Sequence, residues 1–312
     1  MKKSDNIRRR TWRMLAKNLI VLVALAVAAA VGVRSWFVNS TKAHASNANV
    51  TVKCPNSLEV AIVAPGETPD DDSWVEGSEI NLNATNYPFI SNLTISEVTS
   101  DGVNFVKPLL IQSGASVSPD TSAASEWADG TANIEYLSFD VYMRSVAHID
   151  VKLAESTTIS PISAQLITSN GVSRDCAIGA VRFSVVAPGE DEASLLWIPA
   201  PNVYYDSAND DVTDDNTSGP SYTHKYYSVG EVQQNGDTEK NLYTYSGTVT
   251  NNDCDYTLGQ DITLSRLSKD SEEDLYYTGC VRFNLWIEGE DEEARLKFVG
   301  GQFAAVLNLE IE

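Results

Sequence analysis

Short runs of alternating or β-branched residues dominate the chain beyond Val38, and clusters of Gly, Pro, Asn, Asp or Ser separate them. Such runs predict β-strands, whereas the spacing i, i+3, i+4 and i+7 of an amphipathic helix is almost absent. About ten strands without intervening helices predict an all-β fold, a jelly-roll-like antiparallel β-sandwich. The clearest strand candidates are residues 50–53, 58–63, 93–98, 136–143, 148–153, 164–168, 180–186, 242–250, 280–287 and 303–311. Short helices are expected only at residues 270–275 and 290–296.

A basic segment followed by an apolar one forms the N-terminus. Seven Lys and Arg residues precede residue 18, and residues 18–33 are uncharged and rich in Leu, Ile, Val and Ala. This order is typical of a signal peptide, and a helix of about 16 residues would span only ~24 Å of the ~30 Å hydrocarbon core. A signal peptide is therefore favoured over a signal anchor, and cleavage is expected near Gly32.

These features divide the chain into three parts. Residues 1–33 are the signal peptide or signal anchor, residues 34–52 an extended N-terminal segment, and residues 53–312 a β-sandwich domain with an Asp-rich loop at 206–221. We expect a secreted or cell-surface protein that meets signal peptidase during export and contacts the membrane only through its N-terminal segment.

The charge of the exported part excludes some partners. After residue 33 the chain has 15 Lys and Arg against 42 Asp and Glu, a net charge of −27. Nucleic acids and anionic membrane surfaces bind to clustered Lys and Arg, so a body this acidic is not expected to bind either.

Four cysteines lie in the exported part, and their count is even. Outside the cytosol this favours one or two disulfides, with three possible connectivities if both form, although free buried thiols are the alternative. The spacing contains no CxxC pair and matches no zinc module. The disulfide candidates are Cys54, Cys176, Cys254 and Cys280.

Two segments of the chain repeat a pattern at an offset of one hundred residues. Residues 181–192 and 281–292 both read as an alternating strand that begins Val-Arg-Phe and ends in a Gly turn and an acidic run. Because side chains alternate along a strand, Arg182 and Arg282 are expected to point away from the flanking Val and Phe, toward solvent or a carboxylate. Two equivalent strands of one sandwich explain the pattern better than catalysis does.

Several motifs together resemble the TasA/camelysin-type surface proteins of Gram-positive bacteria, which carry a SipW-dependent type of signal peptide. They are the apolar segment running into residues 34–40 (RSWFVNS), the extended segment at 46–52, the aromatic strand at 136–145 that ends in Arg-Ser, and the paired Val-Arg-Phe strands. The resemblance implies a jelly-roll fold and a subunit of cell-surface or biofilm-matrix fibres. It also implies assembly into a homopolymer, in which the mature N-terminal segment adds as a donor strand to the next subunit's sheet. The donor-strand candidates are Trp36, Phe37, Val38, Val50 and Val52.

Catalytic motifs are not found in the sequence, so we expect no enzyme activity. The three histidines, His44, His148 and His224, form no HExxH motif, and GxSxG, Walker A and dinucleotide-binding fingerprints are missing. His148 fits a strand surface better than a ligand set. A secreted metallopeptidase is therefore the weakest interpretation.

No cofactor is predicted, although calcium is possible. Carboxylates supply the hard oxygen ligands that calcium prefers, but the spacing and the terminal Glu of an EF-hand are absent, and a solvated acidic loop is the commoner case. The weak calcium candidates are Asp206, Asp210, Asp211, Asp214 and Asp215, and a second group is the run Asp70-Asp71-Asp72.

Two hypotheses of different class follow. In the first, the chain is an exported structural subunit of a fibre that assembles by donor-strand exchange. In the alternative, it is a monomeric, membrane-tethered surface binding module or adhesin that presents the Tyr- and Asp-rich loop.

Overall fold

The structure is a computed structural model that describes residues 47–108, 110–113, 116–119, 127–163, 166–168, 171–172, 174–200, 203–206, 211–214, 256–289 and 300–312. Short 3-10 helices cover Asp71–Ser73, Pro88–Ile90 and Arg174–Ala180. The strands are β1 (Asn47–Lys53), β2 (Glu59–Val63), β3 (Val75–Glu76), β4 (Glu79–Leu82), β5 (Glu97–Ser100), β6 (Phe105–Pro108), β7 (Leu110–Ser113), β8 (Ser116–Pro119), β9 (Trp127–Asp129), β10 (Leu137–Ser145), β11 (Asp150–Leu153), β12 (Thr158–Pro161), β13 (Ile167–Thr168), β14 (Gly171–Val172), β15 (Val181–Val186), β16 (Leu195–Trp197), β17 (Val203–Asp206), β18 (Asp211–Asp214), β19 (Ile262–Arg266), β20 (Tyr277–Glu288) and β21 (Gln302–Ile311).

Two multi-stranded sheets build the body. The first has the order β19-β11-β21-β1-β4, and β12 also pairs with β21. The second begins β3-β2-β10-β20; β15 and then β16 follow on the other side of β20, while β5, β6 and β9 extend from its end. The predicted all-β, sandwich-like fold is confirmed. The sheets are mixed rather than purely antiparallel, because β1 pairs parallel with β21 and β5 parallel with β20.

The main core lies between the two sheets and follows the alternation of the strands. In β21, Phe303, Ala305, Leu307 and Leu309 are buried and their neighbours 302, 304, 306 and 308 are not, as the period of two predicts. These residues belong to one apolar cluster with buried residues of the second sheet, including Phe139 and Phe283, whose rings meet edge to face at 5.6 Å. Burial of this cluster is the main stabilising contribution to the fold.

A smaller apolar cluster covers the far end of β20. It contains Val98, Phe105, Leu196 and Trp286, and the Phe105 ring meets the Trp286 ring edge to face at 5.2 Å. Because of this second layer, β15 and the end of β20 are buried on both faces.

The second layer changes the environment expected for Arg182. Its side chain is wholly buried, and one terminal nitrogen donates to the backbone oxygens of Gly179 at 2.7 Å and Val181 at 2.9 Å. Of the two environments expected for Arg182, solvent or a carboxylate, the structure excludes solvent, because other residues cover the strand face that alternation assigns to it.

Three local predictions also differ from the structure. Residues 270–275 form bends and a turn rather than a helix, and the strand expected at 93–98 lies at β5 instead. Part of the Asp-rich loop is a hairpin, in which β17 pairs with β18. The predicted strand at 242–250 and helix at 290–296 lie outside the described residues.

Candidate assembly site at the first strand

The first strand lies inside the first sheet, with a partner on each side. It runs parallel to β21, with Thr51 opposite Val306, and antiparallel to β4, with Thr51 opposite Asn81. Val50 is 4% exposed and Val52 is fully buried, whereas Thr51 faces outward and donates a hydrogen bond from its hydroxyl to Asn81 Oδ1 at 2.8 Å. Alternation therefore puts the two valines in the core between the sheets.

Only part of the predicted donor segment can be placed. Val50 and Val52 lie in β1, while Trp36, Phe37 and Val38 lie outside the described residues. The chain thus uses the C-terminal part of this segment as a strand of its own sheet. If β1 left, the facing backbone of β21 and β4 would lose its hydrogen-bond partners, and a slot shaped for two β-branched side chains would open between them.

The cysteines do not form the predicted disulfides where the structure describes them. Cys54, Cys176 and Cys280 are thiols, and no disulfide joins any two of them; Cys254 lies outside the described residues. The Cys54 thiol is within 3.4 Å of Ser78 O, and the Cys176 thiol is within 3.1 Å of Leu166 O. Cys54 and Cys176 thus serve as small buried packing residues, and Cys280 is partly buried.

The backbone of three of the acidic calcium candidates is described. Asp206 and Asp211 are paired residues at the turn end of the β17–β18 hairpin, and Asp214 is at its base; Asp210 and Asp215 lie outside the described residues. Within the described ranges, no three His, Cys, Asp or Glu side chains are grouped so that they could hold a metal ion.

A polar cleft of about 210 Å³ on the second sheet brings together residues that the sequence reading left separate. Asp140 on β10 lies opposite Arg282 on β20, and its buried carboxylate accepts hydrogen bonds from Nε of Arg282 at 2.7 Å and from one terminal nitrogen at 2.9 Å. The same carboxylate accepts the backbone N–H of Gly66 at 2.7 Å. Of the two environments expected for Arg282, solvent or a carboxylate, the structure shows the carboxylate as its partner.

Two identical turns flank this ion pair. Residues 63–67 and 186–190 both read Val-Ala-Pro-Gly-Glu, at the ends of β2 and β15, the strands that lie outside β10 and β20. In both turns the Glu N–H donates to the Ala oxygen, and Gly66 and Gly189 have φ angles of +82° and +84°. This repeated pentapeptide was the sequence signal that could have located the cleft.

The cleft also contains a thiol with a suppressed acidity. Burial, and secondarily the Asp140 carboxylate, raise the pKa of Cys280 from its ordinary value of 9.0 to about 12. Burial also raises the pKa of Tyr142, whose side chain is hydrogen-bonded to the Cys280 thiol. The hydrogen bonds to Asp140 raise the pKa of Arg282. At neutral pH Cys280 is therefore a protonated thiol rather than a nucleophilic thiolate.

Helices long and apolar enough to cross a membrane are not found in the described part of the chain. No protein-family model matches the chain, and searches of curated proteins and of solved structures return no significant match. The resemblance to the TasA/camelysin type thus has its support in the quoted motifs alone, and the function that follows is a proposal.

Proposed function

We propose that the protein is an exported structural subunit of a cell-surface or biofilm-matrix fibre, in which β1 of one copy takes the place of β1 in the next. The observation that carries the proposal is the position of β1 between β21 and β4, with Val50 and Val52 as its buried side chains. A strand of this kind makes the same backbone hydrogen bonds to an identical subunit as to its own.

The contacts of β1 suit such an exchange. The strand has only seven residues, and Val50 and Val52 are its core residues among those whose burial is described. Its release therefore costs the hydrogen-bond ladders to both β21 and β4 and the burial of these valines, and insertion into another copy restores them. The net charge of the body opposes uncontrolled edge-to-edge association, so we expect assembly to depend on salt, pH or divalent cations.

The position of β1 also alters the way in which the hypothesis must be tested. Deleting residues 33–52 would remove two core side chains and unfold the subunit whether or not it assembles. Locking the strand in place leaves the subunit intact and is the better experiment.

The lock uses Thr51 and Val306, which are register partners on the outward side of β1 and β21. Neighbouring strands lie about 4.8 Å apart, which is within the range that a disulfide spans. The variant T51C/V306C, produced from residue 34 onward, is screened by electron microscopy over salt, pH and calcium. Fibres are expected after reduction and only monomers after oxidation.

A mixing experiment tests the exchange directly. Chains carrying only T51C are mixed with chains carrying only V306C under the assembly conditions, and then oxidised. An intermolecular disulfide between the two positions is expected in fibres and not in monomers, and mixing T51C with A304C, two residues out of register, is the control. Fibres formed by the oxidised double variant, or monomers that persist throughout the screen, would contradict the proposal.

A further inference from the structure

A groove of about 670 Å³ lies along one side of the sandwich, between an edge of the first sheet and an edge of the second. The chain passes here from β3, the edge strand of the second sheet, to β4, the edge strand of the first. The residues after β2 and the 3-10 helix Pro88–Ile90 complete the walls. The proposed fibre contact does not use this groove.

The groove exposes the free edge of β4. In the antiparallel pair, Cys54 lies opposite Ser78, and its N–H donates to Ser78 O at 3.2 Å. Hydrogen-bonded and non-bonded pairs alternate along such a ladder, so Ile80 bonds to β1 while the N–H and C=O groups of Glu79 and Asn81 point away from it. Among the described strands only β1 pairs with β4, so these groups form a sheet edge to which no strand is added; the Asn81 oxygen accepts a hydrogen bond from the Asn83 side-chain amide at 3.3 Å.

Apolar side chains line the groove below that edge. Ile62 and Val75 come from the second sheet and Ile80 from the first, and the rings of Tyr87 and Phe89 meet edge to face at 5.9 Å. Val75, Tyr87 and Phe89 are only partly buried. Alternate side chains of an added strand would therefore contact an apolar surface.

The rim of the groove is acidic. Glu67, Asp70, Asp72 and Glu79 line it, and no Lys or Arg is found among the described residues that do. All four carboxylates are exposed, and Glu79 forms an exposed ion pair with Lys53 at 3.8 Å. This charge selects against an acidic strand and for a basic one.

We infer that this groove binds an extended basic peptide segment of a partner protein, which adds as a strand to the free edge of β4. The peptide backbone bonds to Glu79 and Asn81, its apolar side chains pack on the wall formed by Ile80, Tyr87 and Phe89, and its Lys or Arg side chains lie beside the acidic rim. Sequence specificity beyond an alternating basic and apolar pattern is not required, because backbone bonding supplies the common part of the affinity.

The test measures the fluorescence anisotropy of a labelled peptide, Lys-Val-Lys-Val-Lys-Val, as the protein, produced from residue 34 onward, is titrated into it. Binding is expected, with an affinity that falls as NaCl rises from about 50 to about 500 mM, because exposed charges are screened. Glu-Val-Glu-Val-Glu-Val is the matched control and is expected not to bind. Equal binding of both peptides would overturn the inference.

Two substitutions at one position isolate the backbone contribution. N81P removes an N–H that points away from β1, so it leaves the β1 ladder intact, whereas N81A keeps that N–H and removes only the side chain. We expect N81P to weaken peptide binding about three- to tenfold, as the loss of one hydrogen bond does, and N81A to bind as the natural chain does. Thermal unfolding of both variants is the control that checks whether the fold is retained.

Charge reversal and a second peptide complete the test. D70K/D72K leaves two acids and two bases on the rim, so it is expected to abolish most of the preference for the basic over the acidic peptide, and an unchanged preference would contradict the inference. A peptide of residues 34–46 of this chain is the other probe, since it contains two bases and no acid. Tighter binding of that peptide than of the Lys-Val probe would overturn the assignment to a partner protein and give the groove to a second copy.

Discussion

Asp140 and Arg282 form a two-pronged ion pair across the central strands of the second sheet, and identical Val-Ala-Pro-Gly-Glu turns follow the strands on either side. Val63 pairs with Asp140, and Val186 pairs with Arg282, so four strands meet at one level. The arrangement has an approximate two-fold symmetry, because exchanging β10 with β20 also exchanges β2 with β15. The pair thus joins β10 to β20, and the Asp140 carboxylate also holds the turn after β2 through the Gly66 N–H.

The first prediction concerns this ion pair. Asp140→Asn replaces a buried carboxylate by a neutral amide, so the Arg282 guanidinium loses its charged partner and one of its two hydrogen bonds. We expect a loss of about 1–3 kcal/mol in the free energy of unfolding, measured by urea denaturation. Glu79→Gln is the control, because its carboxylate and Lys53 are exposed and 3.8 Å apart, and such pairs contribute about 0–1 kcal/mol. Equal losses in the two variants would show that Asp140 has no special role.

The second prediction concerns pH and the Cys280 thiol. Its pKa in the folded protein is about 12 against an ordinary value of 9.0, so the unfolded chain releases this proton first as the pH rises. The contribution of the thiol to stability is therefore complete below pH 9 and is lost progressively between about pH 9 and pH 12.

Cys280→Ser, which does not titrate in that range, isolates the effect. We expect the stability of the natural chain to fall more steeply than that of the variant between about pH 9 and pH 11. Parallel curves would contradict the raised pKa.

Thiol labelling of the natural chain at pH 8 is a second measurement. Iodoacetamide is expected to label Cys54 and Cys280 slowly in the folded protein and rapidly in urea.

The third prediction compares adjacent residues of β1. Val52→Ala removes two buried methyl groups, and we expect a loss of about 2 kcal/mol in the free energy of unfolding. Thr51→Ala on the outward side is expected to change it by no more than about 0.5 kcal/mol. If the two substitutions had the same effect, β1 would not be part of the core in solution.

The fourth prediction uses the two identical turns. Gly66 and Gly189 both have a positive φ, and an added Cβ would meet no atom within 4 Å at either position. Gly→Ala at either position should therefore lower the free energy of unfolding only by the backbone strain, about 1–2 kcal/mol, and the loss should be similar in the two turns. Asn tolerates this conformation, so Gly→Asn is expected to restore part of the lost stability. Thermal unfolding of the four single variants measures both effects.

Strand positions were predictable where alternation is long and uninterrupted. The strands β10, β15, β20 and β21 lie within three residues of their predicted bounds. In β21 buried and partly exposed side chains alternate, whereas most of β10, all of β15 and the end of β20 are continuously buried, so their runs of aromatic and β-branched residues marked them. The region around β5 was misplaced, since its bonds to β20 are made by residues distant in sequence. The helix expected at 270–275 is a turn, where Ser271 N–H bonds to the Asp274 carboxylate.

The candidate sites were predictable only in part. The burial of Arg182 depends on a second layer of packing, and the absence of a disulfide among Cys54, Cys176 and Cys280 depends on where the fold places them; neither can be read from spacing. The carboxylate partner of Arg282 followed from strand alternation, but its identity required the register of β10 against β20. The open edge of β4 depends on which strands reach it, so a single strand pattern gives no sign of it.

The parallel pairing of β1 with β21 has a consequence for the order of folding. The two strands are separated by almost the whole body of the chain, so β1 can complete its pairing in the first sheet only after the residues of β21 have been synthesised. Until then the side of β1 that pairs with β21 has no partner strand in its own chain. In the proposed fibre this is the interval in which neighbouring chains compete for β1, and the local concentration of newly made chains would decide how often the strand closes its own sheet.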